Sequence, residues 1–250
     1  MSDKEMPFLS ADGSGIFSES DRIPETFPPI HQKQDTAKEK HILLEGPTDS
    51  TLFLEKLIKT KNNYPLKTVL KLKKPELQFK ILEIKRMDKN LKQIKTKIYD
   101  RCSFEISDFK LEQESKEYDA CRFNLNGSRI VSRNAKITPK KIGQFVTFWK
   151  RNGNGPIEPF NDRDEIDFFV VNIRTENEWG QFVFPKSVLI EKGIISTQKK
   201  EGKRAFRVYP SWDKTKSKQA EQTQKWQLNY FYEVGEMTDF EKVIQLYSKG

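Results

Sequence analysis

The segment IDFFVVNI, residues 166–173, constrains the fold of this chain more than any other. A strand with one face in water alternates polar and apolar residues, whereas the four residues from Phe168 to Val171 are all apolar. Such a run is typical of a central strand that is buried on both faces. The segment WGQFVF, residues 179–184, follows across the polar turn RTENE and is predicted to pair with it. We therefore expect a sheet with other elements packed against it.

Other segments predict further strands and two helices. FEISDFKLE alternates as a strand does, and CRFNL and RIVSR flank Asn126-Gly127, a strong hairpin signal because both residues tolerate positive φ. GQFVTFWKR is predicted as one more strand and KRAFRVYP as the last strand. SKQAEQTQKWQLNYFYEV and TDFEKVIQLYSK are predicted as helices. The expected fold class is α+β, with a mixed, mainly antiparallel sheet flanked by helices.

The chain divides into three parts. Residues 1–40 are rich in Ser, Asp, Glu, Gly and Pro, and we predict a disordered tail. Residues 41–100 are predicted to be a helical extension that ends in one long amphipathic helix, which starts near Pro75. One apolar stripe with three- and four-residue spacing defines that helix: Ile84, Met87, Leu91, Ile94 and Ile98. Residues 101–250 are predicted to be the folded α/β module, against which the helix lies.

Several kinds of site are disfavoured by the composition. No run approaches the roughly 18 apolar residues of a membrane helix, and the N-terminus lacks a signal-peptide pattern, so we expect a cytoplasmic protein without membrane association. Cys102 and Cys121 are the two cysteines, and they are predicted to be free thiols. The two histidines, His31 and His41, lie outside the predicted module, which argues against a zinc site or a His-dependent nucleophile. No cofactor is expected.

Positive charge is concentrated in the C-terminal half. Residues 120–230 contain 21 Lys and Arg against 11 Asp and Glu, a net charge of +10, whereas the whole chain carries +9. A field of this kind attracts polyanions such as DNA, RNA or anionic lipid. A solvated Lys-rich surface would produce the same count, so the charge needs support from particular residues.

Four long motifs resemble the MepB family. They are AKITPKKIGQFVTFWKR, IDFFVV followed by GQFVFPKSVLIEKGI, EGKRAFRVYPSW, and KQAEQTQKWQLNYF, in this order. The resemblance extends over about residues 99–231, so residues 101–250 are interpreted as a MepB-like module and the first hundred as an extension. It implies a compact α/β module with a restriction-endonuclease-like core that binds nucleic acid.

Nucleases with such a core place an Asp on one strand and Glu-x-Lys on the next, where the carboxylates hold Mg²⁺. Two registers are conceivable, one with Lys136 and one with Lys150 as the lysine. The carboxylate position two residues earlier is then Asn134 or Phe148, and neither holds Mg²⁺ well. Cleavage would have to rely on other acids, and the candidates are Asp119 and Asp167.

Nucleic-acid binding requires cations for phosphates and aromatic faces for bases. Three segments interleave the two kinds of residue: Lys136, Lys140, Trp149, Lys150 and Arg151 in the first; Lys203, Arg204, Arg207, Tyr209 and Trp212 in the second; and Lys225 beside Trp226 in the third. We therefore predict a non-catalytic protein that binds DNA or RNA. The alternatives are a divergent Mg²⁺-dependent nuclease, or an interaction module that docks a protein partner through the N-terminal extension.

Overall fold

The computed structural model describes residues 74–248. The predicted tail over residues 1–40 lies outside the described residues, as does the extension as far as residue 73. Within the described range, no helix combines the length and apolar character that a membrane span requires.

Within residues 74–248, five α-helices cover parts of the sheet: α1 (Lys74–Arg86), α2 (Lys89–Ile94), α3 (Lys186–Glu191), α4 (Lys218–Gln227) and α5 (Phe240–Tyr247). The predicted single long helix is wrong in one respect, because it is interrupted between α1 and α2. Asp88 caps α2 by accepting hydrogen bonds from the backbone N–H of Asn90 at 2.7 Å and of Leu91 at 3.3 Å. An aspartate favours this N-cap geometry over a helix interior, which explains the interruption. A π-helical turn, Lys95–Tyr99, extends α2.

Eleven strands form three sheets in residues 74–248. The strands are β1 (Ile106–Leu111), β2 (Cys121–Leu125), β3 (Ser128–Asn134), β4 (Lys136–Thr138), β5 (Lys141–Thr147), β6 (Trp149–Arg151), β7 (Ile157–Pro159), β8 (Phe168–Arg174), β9 (Trp179–Pro185), β10 (Ala205–Val208) and β11 (Phe231–Glu233). The main sheet has the order β1-β2-β3-β8-β9-β11, the second β10-β5-β4, and the third β6-β7. Among these eleven strands of the described range, only the pairing of β3 with β8 is parallel. The fold is therefore α+β with a mixed, mainly antiparallel sheet.

Strand β8 is buried on both faces, as the apolar run predicted. Phe168 and Val170 belong to a core under α1, α2 and α5, whereas Phe169 and Val171 belong to a core under the second sheet, α3 and α4. The hairpin β2–β3 and the pairing of β8 with β9 are also confirmed.

Two predicted elements are divided in the structure. GQFVTFWKR separates into β5 and β6 at Phe148, whose ring lies in the core at 4.6 Å from Phe160 and 4.3 Å from Phe169 between ring centroids. The backbone N–H of Phe148 donates to the carbonyl of Arg204 at 2.7 Å, next to β10, and the following residue, Trp149, pairs with β7 in a different sheet. The predicted helix after Ser217 ends at Gln227, and β11 then pairs antiparallel with β9. Strand β10 is therefore not the last strand.

Candidate nucleic-acid interface

The outer face of the second sheet carries cations and aromatic rings. Lys136 on β4, Phe145 on β5 and Arg207 on β10 are direct cross-strand neighbours. Alternate residues of the same strands, such as Val146 and Phe206, point into the core. Because adjacent strands are about 4.8 Å apart, the three outward side chains form one row about 10 Å wide.

Arg207 is held in place by neutral acceptors. Its Nη1 donates to the carbonyl of Gly143 at 3.0 Å, and its Nη2 donates to the Thr138 hydroxyl at 2.9 Å. The guanidinium carbon lies 5.7 Å from the centroid of the Phe145 ring. Arg207 forms no ion pair with any residue of the described range 74–248. A guanidinium has five N–H donors, so this arrangement leaves donors available for an external anion such as phosphate.

Tyr209 extends this row beyond the end of β10. Its ring packs directly on Gly143, where a Cβ would lie 2.5 Å from Tyr209 Cε1, and Gly143 has a φ of +84°. The fully buried Gln227 on α4 fixes this segment, because it accepts from the Tyr209 N–H at 2.9 Å and donates to the Arg207 carbonyl at 2.9 Å. We call Lys136, Phe145, Arg207 and Tyr209 together the cation–aromatic face.

Tyr118 packs against one side of the cation–aromatic face. Its ring centroid lies 6.3 Å from that of Phe145, and Lys136 Nζ lies 4.6 Å from the Tyr118 centroid. Burial raises the pKa of the Tyr118 hydroxyl, so this group is neutral at physiological pH. The contact is a cation–π interaction of the kind that stabilises Lys over an aromatic ring.

Asn134 of the first nuclease register meets the candidate acid Asp119, and an additional acid, Asp88, joins them. Asn134 Nδ2 donates to Asp119 Oδ2 at 2.7 Å and to Asp88 Oδ1 at 3.1 Å. Lys136 lies two residues after Asn134 on the adjoining strand β4. The nuclease motif does not include Asp88. Its position as an acidic residue within the apolar stripe of the predicted helix, just before Leu91, was the sequence feature that could have drawn attention to it.

A chain of buried amides sets the orientation of Asn134. Its Oδ1 accepts from Asn172 Nδ2 at 2.9 Å, and Asn172 Oδ1 accepts from Gln181 Nε2 at 2.6 Å. These three residues are neighbours across β3, β8 and β9. Three tyrosine hydroxyls lie against Gln181 Oε1: Tyr99 at 3.1 Å, Tyr232 at 2.5 Å and Tyr247 at 2.8 Å.

The tyrosine hydroxyls at one end and the Asp88 and Asp119 carboxylates at the other fit the same orientation of all three amides. Burial raises the pKa of all three hydroxyls, so they keep their protons and can donate to Gln181. Gln181 then presents its nitrogen to Asn172, and Asn172 presents its nitrogen to Asn134. As a result, Asn134 directs its Nδ2, a donor, at Asp88 and Asp119. The residues from 74 to 248 contain no group of three or more His, Cys, Asp or Glu side chains that could hold a metal ion.

Asp167, the other predicted acid, is bound by an arginine. Its Oδ2 accepts from the Arg129 N–H at 2.7 Å and Nε at 3.0 Å, and its Oδ1 accepts from Nη2 at 2.8 Å. These hydrogen bonds from Arg129 lower the pKa of the Asp167 carboxyl. Asp167 precedes β8, whereas Asn172 lies five residues further along, about 16 Å away at the usual strand rise. The structure does not bring Asp167 and Asp119 together.

In the second nuclease register, the carboxylate position is a core residue, Phe148, and the lysine, Lys150, forms an ion pair. Phe148 is fully buried. Lys150 Nζ lies 2.6 Å from Asp164 Oδ1, and Arg151 Nε lies 2.8 Å from Glu114 Oε1. Trp149 is half-buried, with the Arg151 guanidinium 5.7 Å from its ring centroid. These predicted binding residues lie on the hairpin β6–β7, and their charges are largely compensated.

The remaining predicted residues are dispersed. Lys140, Lys203 and Lys225 are exposed. Arg204 is exposed and lies 2.9 Å from Glu201. Trp212 packs on Phe231, with 5.6 Å between ring centroids. The structure thus unites Lys136, Arg207 and Tyr209 from the predicted set, and it adds Phe145 and Tyr118. The alternation along the β5 segment was the available signal for Phe145, whereas no local pattern marks Tyr118, which lies on a 3₁₀ turn.

Comparisons with known proteins agree with the motif resemblance. A family model described as MepB-like matches residues 112–233. A solved crystal structure of MepB is 39% identical in sequence; the alignment covers 51% of this chain and 86% of that one, with a TM-score of 0.50. No curated protein matches the chain. The matched region contains the second sheet, the amide chain and the cation–aromatic face. Through this C-terminal half, the chain belongs to the MepB family.

Proposed function

We propose that this protein binds nucleic acid at the cation–aromatic face and does not cleave it. The observation that carries the proposal is the row of Lys136, Phe145 and Arg207, extended by Tyr209. It combines donors for phosphate with ring faces for bases on one ordered surface. Base stacking on an aromatic side chain contributes about 1–3 kcal/mol per base. Stacking requires unpaired bases, so single strands are the expected form.

The local charge supports this proposal. From Ala120 to Ile157 the sequence contains eight Lys and Arg and no acidic residue. That segment includes β4 and β5, which build two thirds of the second sheet. A phosphate chain on this face would therefore meet positive potential without nearby carboxylates on the same strands.

The donor orientation of Asn134 supports the absence of cleavage. Mg²⁺ binds oxygen ligands, and an amide that directs its nitrogen outward offers none. Asp88 and Asp119 already accept hydrogen bonds from that nitrogen. The restriction-endonuclease-like core implied by the resemblance would then carry a site in which hydrogen bonding has replaced metal binding.

A titration of labelled single-stranded DNA, RNA and duplex DNA, followed by fluorescence anisotropy, tests the binding. Lys136→Ala should weaken binding to every sequence. It should also reduce the slope of the logarithm of the association constant against the logarithm of the salt concentration by about one. Lys110→Ala is the matched control, since Lys110 is also an exposed strand lysine, but it lies on the edge strand β1 of the main sheet. Equal losses in the two variants, or no binding by the wild type at low salt, would contradict the proposal.

Incubation of the same strands with Mg²⁺ or Mn²⁺ tests the second part. Intact strands are expected at all times. Cleavage that disappears in Asp119→Ala would instead identify a nuclease that uses Asp88 and Asp119, which is the second candidate favoured by their convergence on Asn134.

A further inference from the structure

An acidic segment lies across part of the interface. Residues 112–119 make up all but the last residue of the connection from β1 to β2, although antiparallel neighbours can be joined by two residues. We call these residues the strap. They contain four acids, namely Glu112, Glu114, Glu117 and Asp119. The strap is anchored at its start, because the Glu112 carboxylate accepts from both Arg122 and the fully buried Arg133.

The outer part of the strap contacts groups that a nucleic acid would use. The Glu114 carboxylate accepts from Arg151 Nε at 2.8 Å, as a phosphate oxygen would. The Tyr118 ring packs on Phe145 and under Lys136, in the manner of a base. The strap therefore presents an acid and an aromatic ring at positions where a strand would present phosphate and base.

The backbone of this outer part is strained at two residues. Ser115 has a φ of 55° and Asp119 a φ of 48°, both in the left-handed region that disfavours residues other than glycine. They flank the short 3₁₀ turn Lys116–Tyr118. One further contact holds the strap to the second sheet, a hydrogen bond from the Thr147 hydroxyl to the Ser115 hydroxyl at 3.1 Å.

We propose that the strap is an intramolecular competitor that a nucleic-acid strand displaces when it binds the cation–aromatic face. This inference rests on the proposed nucleic-acid binding. The strap stays anchored at Glu112 and at Asp119, which accepts from Asn134, while the segment from Glu114 to Tyr118 moves away and frees Arg151, Phe145 and Lys136. The strand binds only those molecules whose strap is open. The measured affinity is therefore lower than the affinity of the open state, by the fraction of molecules that are open.

Neutralising one strap acid at a time tests the competition. Glu114→Gln removes the carboxylate that holds Arg151, and it should raise the affinity for a labelled single strand about two- to fivefold, the range expected for loss of one partly exposed ion pair. Glu117→Gln changes the net charge equally, but Glu117 is exposed and has no ion-pair partner in residues 74–248. Equal gains in both variants would mean that only net charge matters, which would overturn the proposal.

A crosslink provides the decisive experiment. The Ser115 and Thr147 hydroxyl oxygens are 3.1 Å apart, so the double variant Ser115→Cys/Thr147→Cys can form a disulfide that locks the strap. Its pairing is verified by peptide mass mapping. The oxidised protein should bind the strand at least tenfold more weakly than the same protein after reduction. Equal affinity in both states overturns the strap mechanism alone. Failure of the wild type, the reduced variant and Glu114→Gln to bind any strand at low salt overturns the proposed function, and the strap mechanism with it.

Discussion

Gly143→Ala disturbs the cation–aromatic face in a way whose size can be worked out. The φ of +84° at this residue costs an alanine about 1–2 kcal/mol relative to glycine. The new Cβ would also lie 2.5 Å from Tyr209 Cε1 and 2.7 Å from Cδ1. Forcing the ring away adds about 1–3 kcal/mol, as overpacking does in other proteins. Together the two effects should lower the free energy of unfolding by about 2–5 kcal/mol.

Gly127→Ala separates the two contributions. Gly127 has a similar φ of +87°, but a Cβ there would have nothing within 4 Å. This variant should therefore lose only the backbone part, about 1–2 kcal/mol. Urea unfolding followed by tryptophan fluorescence measures both variants, with unchanged m-values as the check that the unfolded states are comparable. The difference between them is the free energy of the Tyr209 contact.

The same pair of variants connects stability to function. If Tyr209 stacks on a base, its displacement in Gly143→Ala should weaken strand binding about 5- to 150-fold, which corresponds to about 1–3 kcal/mol. Gly127→Ala should bind as the wild type does. Anisotropy titrations without urea measure this. Equal stability losses in the two variants would refute the packing argument, and wild-type affinity in Gly143→Ala would remove Tyr209 from the interface.

Two further predictions concern titrating groups away from this face. Hydrogen bonds from Arg129 lower the pKa of Asp167, so their stabilisation is fully present above the unfolded pKa near 4 and is lost as the pH falls through the lower folded pKa. Asp167→Asn should flatten this acid-induced loss in urea titrations between pH 5 and about 2, and an unchanged pH profile would contradict it. Burial raises the pKa of the Cys121 thiol to about 12. Its modification by a thiol reagent should therefore require unfolding, and rapid reaction in native buffer would refute this.

Local patterns were sufficient for the strands that carry the core. The apolar run before Arg174 predicted β8, and Asn126-Gly127 predicted the hairpin β2–β3, because side-chain periodicity and turn chemistry act over a few residues. The same patterns could not predict the break at Phe148. A strand-like alternation continues through that position, and only the core around Phe160 and Phe169 shows why the chain leaves the sheet.

The sequence identified candidate binding residues by their amino-acid type, but it did not show which of them form ion pairs within the fold. Lys150 and Arg151 fit a basic stripe in the sequence, yet the structure places Asp164 and Glu114 against them. Arg207 fits the same description and forms no ion pair with residues 74–248. The acids that pair with Lys150 and Arg151 lie 14 and 37 residues away in the sequence. Local periodicity gives no information about partners at such separations.

The sequence by itself determined the family, the concentration of positive charge and the α+β pattern of the C-terminal half. These are properties of composition and of short-range order. The tertiary structure alone decided that Asp88 and Asp119 meet at Asn134, that the amide chain turns a nitrogen toward them, and that the strap lies against Phe145 and Lys136. Such contacts join residues up to 46 positions apart. They depend on how the chain packs its two cores, because packing brings distant side chains within hydrogen-bond distance and so selects which charges remain free to bind a ligand.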